Sequence, residues 1–133
     1  MQNKIRVLAL ICLFIAPMFG QDFSQLVPIL RGAKVIAQDE RNTFLGTFES
    51  RYNSNSIFNE YGSFGSPYSS NSIWNEYGTF GGRYSQFSPF NPYSNQPPMI
   101  IKNGKVIGYL TANKAIRGAL NPGVLKAISD EFY

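Results

Sequence analysis

A tandem repeat of period 16 occupies the centre of this chain. Four marker residues recur in each copy, at Tyr52/Tyr68/Tyr84, Ser56/Ser72/Ser88, Asn59/Asn75/Asn91 and Tyr61/Tyr77/Tyr93. Copy one (52–67) and copy two (68–83) are identical at 11 of 16 positions, whereas copy three, from Tyr84, loses the pattern after its second tyrosine. A chain that repeats aromatic, amide and glycine residues in phase reuses one small structural unit and presents the same surface several times.

The residues within one copy favour a short turn of helix between loops. Ser56 is suited to cap the helix, and Gly62 is suited to end it. Ile57 and Tyr61 are four residues apart and would share one helix face. Copy two places the same residue types 16 positions later. Alternating aromatics and serines leave a β-strand interpretation open, although glycine recurs too often for long strands.

A first β-hairpin is predicted before the repeats. The segments 33–38 and 43–49 have the composition of strands, and the polar loop 39–42 joins them. Gly46 interrupts the second strand, where a glycine often marks a bulge or the close approach of another backbone. The repeats are therefore expected to begin directly after the second strand of a hairpin.

A second hairpin is predicted after the repeats. The segments 99–102 and 105–111 flank Asn103-Gly104, which fits a type I′ turn because both residues can adopt positive φ. Gly108 lies within its second strand, as Gly46 does in the first hairpin. We expect the two hairpins to join one antiparallel sheet.

The C-terminal segment has the pattern of a short helix. Asn121 is suited to the N-cap and Pro122 to the first helical position. Val124, Leu125 and Ile128 then fall on one face, which we expect to cover the sheet. Residues 22–31 are interpreted as a short helical or irregular lead-in.

The segment 1–20 has the pattern of a cleaved export signal. Lys4 and Arg6 supply positive charge, residues 7–19 are apolar, and Gly20 offers a small residue for cleavage. This apolar run is shorter than the roughly 20 residues of a membrane-spanning helix, although an uncleaved anchor remains the alternative. Cys12 lacks the small preceding residue of a lipoprotein signal. We predict an exported protein, periplasmic or extracellular, with no membrane span in its mature chain.

Cleavage would leave residues 21–133, which we expect to form a single small domain of the α+β class. The predicted architecture is a small antiparallel sheet of two hairpins, with irregular repeat loops of period 16 inserted at 52–97 and a short C-terminal helix. The chain has no histidine, and its one cysteine lies in the signal, so catalytic triads, thiol chemistry and the commonest zinc ligands are excluded. The mature chain has 10 basic and 8 acidic residues, too small an excess to support a nucleic-acid partner.

Glu60 and Glu76 are the only acidic residues placed by repeat symmetry. A carboxylate pair can hydrolyse a glycosidic bond, so a carbohydrate-active hydrolase is one alternative function. Equivalent positions see equivalent environments, however, whereas the acid and the base of a glycosidase need different ones. With Asn59 and Asn75 the same residues could bind calcium, but copy three has Pro92 in place of the glutamate. We expect no catalytic residue, no metal and no cofactor.

The aromatic residues of the repeats have two interpretations. They could form stacking platforms for sugar rings or other flat ligands. In a small domain without disulfides, they are also the main supply of buried apolar area. The candidate ligand-binding residues are Tyr61, Trp74, Tyr77, Asn59, Asn75, Glu60 and Glu76.

The repeats and their flanks resemble a group of small uncharacterised exported bacterial proteins. The resemblance lies in the two decapeptides that begin at Ser56 and Ser72, in Asn91-Pro92-Tyr93, in Pro97-Pro98 and in the segment 108–113. It covers roughly the segment 44–113. The resemblance implies no activity, ligand or catalytic residue, but it implies that the repeats and the flanking strands belong to one unit.

These observations favour a non-catalytic binding or interaction module of the cell envelope. Its partner would be an envelope polymer or protein, held by repeated display of the same surface. The alternative is a structural surface or matrix protein that self-associates through its Tyr-, Ser-, Asn- and Gly-rich repeats.

Overall fold

The computed structural model describes residues 23–133, so the predicted export signal lies outside the described residues. The strands are β1 (Lys34–Ile36), β2 (Phe44–Thr47), β3 (Met99–Lys102), β4 (Lys105–Leu110) and β5 (Ala119–Leu120). Helix α1 (Leu26–Leu30) follows a 3₁₀ turn at Phe23–Gln25, and helix α2 (Leu125–Ile128) lies between 3₁₀ turns at Pro122–Val124 and Ser129–Glu131.

The five strands form one sheet in the order β2-β1-β3-β4-β5. Strand β1 pairs antiparallel with both β2 and β3, so the two predicted hairpins do join one sheet. The predicted α+β class is confirmed. Strand β5 was not predicted, and because it runs parallel to β4, the sheet is mixed rather than purely antiparallel.

The glycines of both hairpins have the roles that their positions indicated. The turn residues Asn103 and Gly104 have φ of 53° and 75°, as a type I′ turn requires. Gly46 has φ of 114°, and a Cβ at this position would lie 2.9 Å from the Ile57 side chain and 3.0 Å from the Asn55 carbonyl oxygen. The pairing register shifts beside Gly46 and beside Gly108, which places a bulge in each hairpin.

The repeats fold as a continuous series of tight turns, and the helix predicted within each copy is wrong. Backbone N–H groups bond to carbonyl oxygens three residues earlier along the whole segment. The accepting residues are Ser50, Asn53, Ser56, Asn59, Gly62, Ser66, Ser69, Ser72, Asn75, Gly78, Gly82, Ser85, Ser88 and Asn91. These are all serine, asparagine or glycine, residues that favour turns over helices because their side chains bond to nearby backbone or because they lack a Cβ.

The turn series explains why the repeat has a period of 16. Successive turns advance by three residues, except that the step from Gly62 to Ser66 and the step from Gly78 to Gly82 advance by four. Each of the first two copies therefore contains four steps of three residues and one of four. The extra residue is Gly65 in copy one and Gly81 in copy two.

Both ends of the turn series are joined to the sheet by backbone hydrogen bonds. Thr47, at the end of β2, accepts from the N–H of Ile57 at 2.9 Å and donates to the carbonyl oxygen of Asn55 at 2.8 Å. At the far end, the N–H of Ala112 donates to the carbonyl oxygen of Pro89 at 2.8 Å. The repeats are thus a packed part of the domain.

The helices, the sheet and the repeats share one hydrophobic core. Asn121 caps the C-terminal helical segment, since its side chain accepts from the N–H of Gly123 at 2.8 Å, and the predicted apolar face of that segment is buried. The fully or almost fully buried side chains include Leu26, Leu30, Val35, Leu45, Phe48, Ile57, Ile73, Ile100, Leu110, Leu125 and Ile128. Repeat residues therefore contribute directly to the stability of the domain.

Candidate binding surface of the repeats

Six tyrosines of the repeats project almost fully into solvent. They form two sets, which we call the tyrosine rows: the first row is Tyr52, Tyr68 and Tyr84, and the second row is Tyr61, Tyr77 and Tyr93. Their exposed fractions are 86%, 91% and 92% in the first row and 97%, 92% and 87% in the second. A row thus presents one aromatic ring per copy in the same structural setting.

The second row is held by asparagines. In each copy, the asparagine two residues before the tyrosine accepts a hydrogen bond from the tyrosine N–H through Oδ1, at 3.0 or 3.1 Å. Its Nδ2 donates to the carbonyl oxygen six residues earlier, at 3.0 to 3.2 Å. The structure therefore gives Asn59 and Asn75, two of the predicted ligand-binding residues, a clear role in positioning Tyr61 and Tyr77.

Buried serines accept hydrogen bonds from the turn backbone in the same way as these asparagines. Ser56, Ser72 and Ser88 are fully buried, and their hydroxyl oxygens accept from the N–H two residues on, at 2.9 to 3.1 Å. The residues that follow the first two of these serines, Ile57 and Ile73, are also fully buried. Short polar side chains thus provide hydrogen-bond partners for the backbone N–H groups of the turns where water is excluded.

Trp74 differs from the tyrosines because it is half-buried against the core. Its ring centroid lies 5.8 Å from that of Phe90, and the ammonium group of Lys126 lies 5.6 Å from the indole ring. Its Nε1 donates to the carbonyl oxygen of Ile57 at 2.6 Å. Of the three predicted aromatic platforms, Tyr61 and Tyr77 face solvent, and Trp74 has only part of its surface free.

An open cleft of about 330 Å³ brings Trp74 and Glu76 together. We call it the Trp74 cleft, and its lining residues are Ile73, Trp74, Glu76, Gly81, Arg83 and Phe90. Glu60, the equivalent of Glu76 in copy one, does not line it. Neither the carboxylate of Glu76 nor the guanidinium of Arg83 has a hydrogen-bond or ion-pair partner among residues 23–133.

Sequence reasoning missed both the remaining tyrosines and the residues that complete the cleft. The sequence does carry a signal for the tyrosines. Within each copy, successive groups of three residues begin with serine, asparagine or glycine, and the third residue of the group is often aromatic. Ser66-Pro67-Tyr68 and Asn75-Glu76-Tyr77 are two examples. Arg83 and Phe90 carried no such signal, because only the stacking of successive turns places them beside Trp74.

No protein-family model matches the chain, and neither the curated proteins nor the solved structures contain a significant match to it. Within residues 23–133, no helix has the length and apolar character needed to cross a membrane. The same part of the chain contains no group of three or more acidic, histidine or cysteine side chains arranged to hold a metal ion.

Proposed function

We propose that the protein is an exported, non-catalytic binding module whose tyrosine rows contact a polymer or protein of the cell envelope. The observation that supports the proposal is the near-complete exposure of six tyrosines at equivalent turn positions. Exposed aromatic rings that recur at equivalent positions favour an interaction surface, whereas single exposed rings need no such explanation.

The turn scaffold makes these rings suited to recognition. Asparagine and serine side chains accept hydrogen bonds from the backbone N–H groups of every tyrosine in the two rows except Tyr84, so binding has little backbone freedom to remove at those positions. Tyrosine adds a large amphipathic contact area with only two side-chain torsions to order. Repetition then allows several weak contacts to act on one extended partner, which raises the overall affinity by an effective-concentration effect.

The surroundings of the glutamates support a non-catalytic function. Glu60 and Glu76 are both exposed, whereas a general acid at neutral pH needs a desolvated carboxyl group. Their asparagine neighbours are already engaged with the backbone. The proposal would be contradicted if the parent protein hydrolysed an envelope polysaccharide and the Glu60→Gln and Glu76→Gln variants did not.

A retention assay with insoluble envelope material tests the proposal. The purified protein would be mixed with peptidoglycan sacculi and with outer-membrane fragments that carry their proteins, and the bound fraction would be measured after sedimentation. We expect retention by at least one of them, and its loss when Tyr61, Tyr77 and Tyr93 are together replaced by serine. Tyr133→Ser is the matched control, because Tyr133 is equally exposed but lies outside the repeats.

Two outcomes would overturn this function. One is equal retention of the triple serine variant and the parent protein. The other is retention by none of the materials, together with concentration-dependent sedimentation of the protein alone that the triple variant loses. That second result would instead assign the tyrosine rows to self-association.

A further inference from the structure

Copy two departs from copy one at five positions, and its two largest changes meet in the Trp74 cleft. Trp74 replaces the phenylalanine of copy one, Phe58, and Arg83 replaces its proline, Pro67. The repeat otherwise keeps its residues or changes them mildly. Two new functional groups, an indole and a guanidinium, are thus added beside Glu76 and nowhere else in the repeats.

We propose that the Trp74 cleft binds one ring of a saccharide chain, with the apolar face of the sugar on Trp74 and its hydroxyl groups on Glu76 and Arg83. This site is separate from the tyrosine rows, since none of the six tyrosines lines the cleft. The cleft combines apolar walls with two polar groups, as small-ligand sites usually do.

Trp74 is held in a fixed orientation for such a role. The hydrogen bond from its Nε1 to Ile57 anchors one edge of the indole, and Phe90 packs beside the ring. A ligand that stacks on the indole therefore does not bear the entropic cost of ordering it. The flat apolar surface of an aromatic ring matches the C–H-bearing face of a sugar ring, which has no polar group to desolvate there.

Glu76 and Arg83 supply complementary hydrogen-bonding groups. An ionised carboxylate only accepts hydrogen bonds, and a guanidinium only donates them. A hydroxyl group does both, so neighbouring hydroxyls on one sugar ring can satisfy the two side chains at once. Both side chains are exposed and have no partner among the described residues, so they need not break an existing contact to bind.

The openness of the cleft favours a ring within a chain over a free amino acid, which would also match one negative and one positive group. Both charged residues are exposed, so the cleft opens to solvent beside them and a longer chain can continue across the surface. Its volume of about 330 Å³ is at the low end for ligand sites and is suited to one or two sugar rings.

Tryptophan fluorescence tests this proposal directly, because Trp74 is the only tryptophan in the chain. The purified protein would be titrated with cellopentaose, chitopentaose and maltopentaose, each to about 10 mM, a range that covers weak binding. We expect at least one of them to change the emission of Trp74 in a saturable way. Glu76→Gln and Arg83→Gln should each raise Kd roughly tenfold, since each loses a charge-assisted hydrogen bond.

Glu60→Gln is the matched control, because it makes the same change at the equivalent position of copy one, outside the cleft. It should leave the Kd of the oligosaccharide unchanged. The proposal is wrong if none of the three oligosaccharides changes the emission, if Glu60→Gln weakens binding as much as Glu76→Gln, or if free lysine binds more tightly than every oligosaccharide. Because the retention assay uses other variants and insoluble material, either proposal can fail without the other.

Discussion

The indole Nε1 of Trp74 donates a 2.6 Å hydrogen bond to the carbonyl oxygen of Ile57, and this bond links copy two to copy one. The side chain of Ile57 is fully buried, and its own N–H bonds to Thr47 at the end of β2. The sheet, copy one and copy two are thus joined in series through one residue.

Replacing this indole should weaken the domain without unfolding it. Trp74→Phe introduces the residue of copy one, but it leaves the Ile57 carbonyl without its donor. We expect the free energy of unfolding to fall by about 1 to 3 kcal/mol, the usual cost of an unsatisfied buried polar group. Urea unfolding followed by circular dichroism would measure it. Tyr77→Phe, at an exposed ring, should change little, and an equal loss in both variants would contradict this role of the hydrogen bond.

Asn75 should stabilise the turn series through both ends of its amide. Asn75→Ala removes the bond from Nδ2 to Ser69 and the bond from the Tyr77 N–H to Oδ1, each 3.1 Å long. We expect a loss of about 1 to 2 kcal/mol, given that each net hydrogen bond contributes about 1 kcal/mol. Asn75→Asp keeps the acceptor and loses the donor. Its melting temperature in thermal unfolding should therefore lie between that of the Asn75→Ala variant and that of the parent protein. An Asp variant as unstable as the Ala variant would show that the acceptor contributes nothing.

Gly81 should tolerate no side chain, because the backbone of its own copy lies against it. A Cβ at this position would lie 2.2 Å from the carbonyl oxygen of Asn75 and 2.7 Å from that of Ile73. Neither backbone atom can move alone, so we expect Gly81→Ala to cost about 3 kcal/mol, the upper end of the usual range for overpacked sites.

Gly104→Ala is the comparison for Gly81→Ala. Gly104 has φ of 75° but nothing within 4 Å of its added Cβ, so its substitution should cost only about 1 to 2 kcal/mol of backbone strain. Chemical denaturation of both variants would separate the two effects. Similar losses would mean that the copies can shift to make room at Gly81.

The Asp39 loop should make stability depend on pH in the acid range. Burial acts to raise the pKa of Asp39, but hydrogen bonds to its carboxylate together outweigh burial and lower the pKa. The largest of these come from the hydroxyl and N–H of Thr43, at 2.5 and 2.9 Å, and backbone N–H groups of Arg41 and Asp39 add to them. Because the folded pKa lies below the unfolded value of about 3.9, the unfolded chain binds the proton first. The contribution of the Asp39 carboxylate to the free energy of unfolding is therefore fully present above the unfolded pKa, and it is lost as the pH falls through the folded pKa.

Thr43→Val tests this assignment, since it removes the hydroxyl donor and keeps the shape of the side chain. The variant should lose stability relative to the parent at pH 6, and the difference should shrink as the pH falls toward 2, with thermal unfolding as the measurement. A constant difference across this range would mean that Thr43 stabilises the loop without stabilising the Asp39 carboxylate.

Local chemistry was enough to predict the second hairpin and the C-terminal cap. Asn103-Gly104 can adopt two successive positive φ values in any context, and Asn121-Pro122 favours a helix start by side-chain and ring geometry alone. Gly46 and Gly108 likewise indicated irregular strands, because glycine within a strand has few other uses.

The helix prediction in the repeats failed because the spacing of Ile57 and Tyr61 was given more weight than the turn residues between them. In the structure Ile57 is buried and Tyr61 is exposed, so they share no face. Ser56 and Asn59 bond to the backbone two residues on, and this local bonding competes with a helix. Strand β5 was missed because two residues have no periodicity to detect.

By itself, the sequence determined that one short unit is reused in tandem, that hairpins flank it, and that its turn-forming residues and glycines recur in phase. These properties depend on interactions between near neighbours in the chain, which residue types and spacing reveal. Only the tertiary structure decided which aromatics face solvent and that Trp74, Glu76, Arg83 and Phe90 line one cleft. Those outcomes depend on how successive turns stack against each other and against the sheet, so residues far apart in the chain set them together.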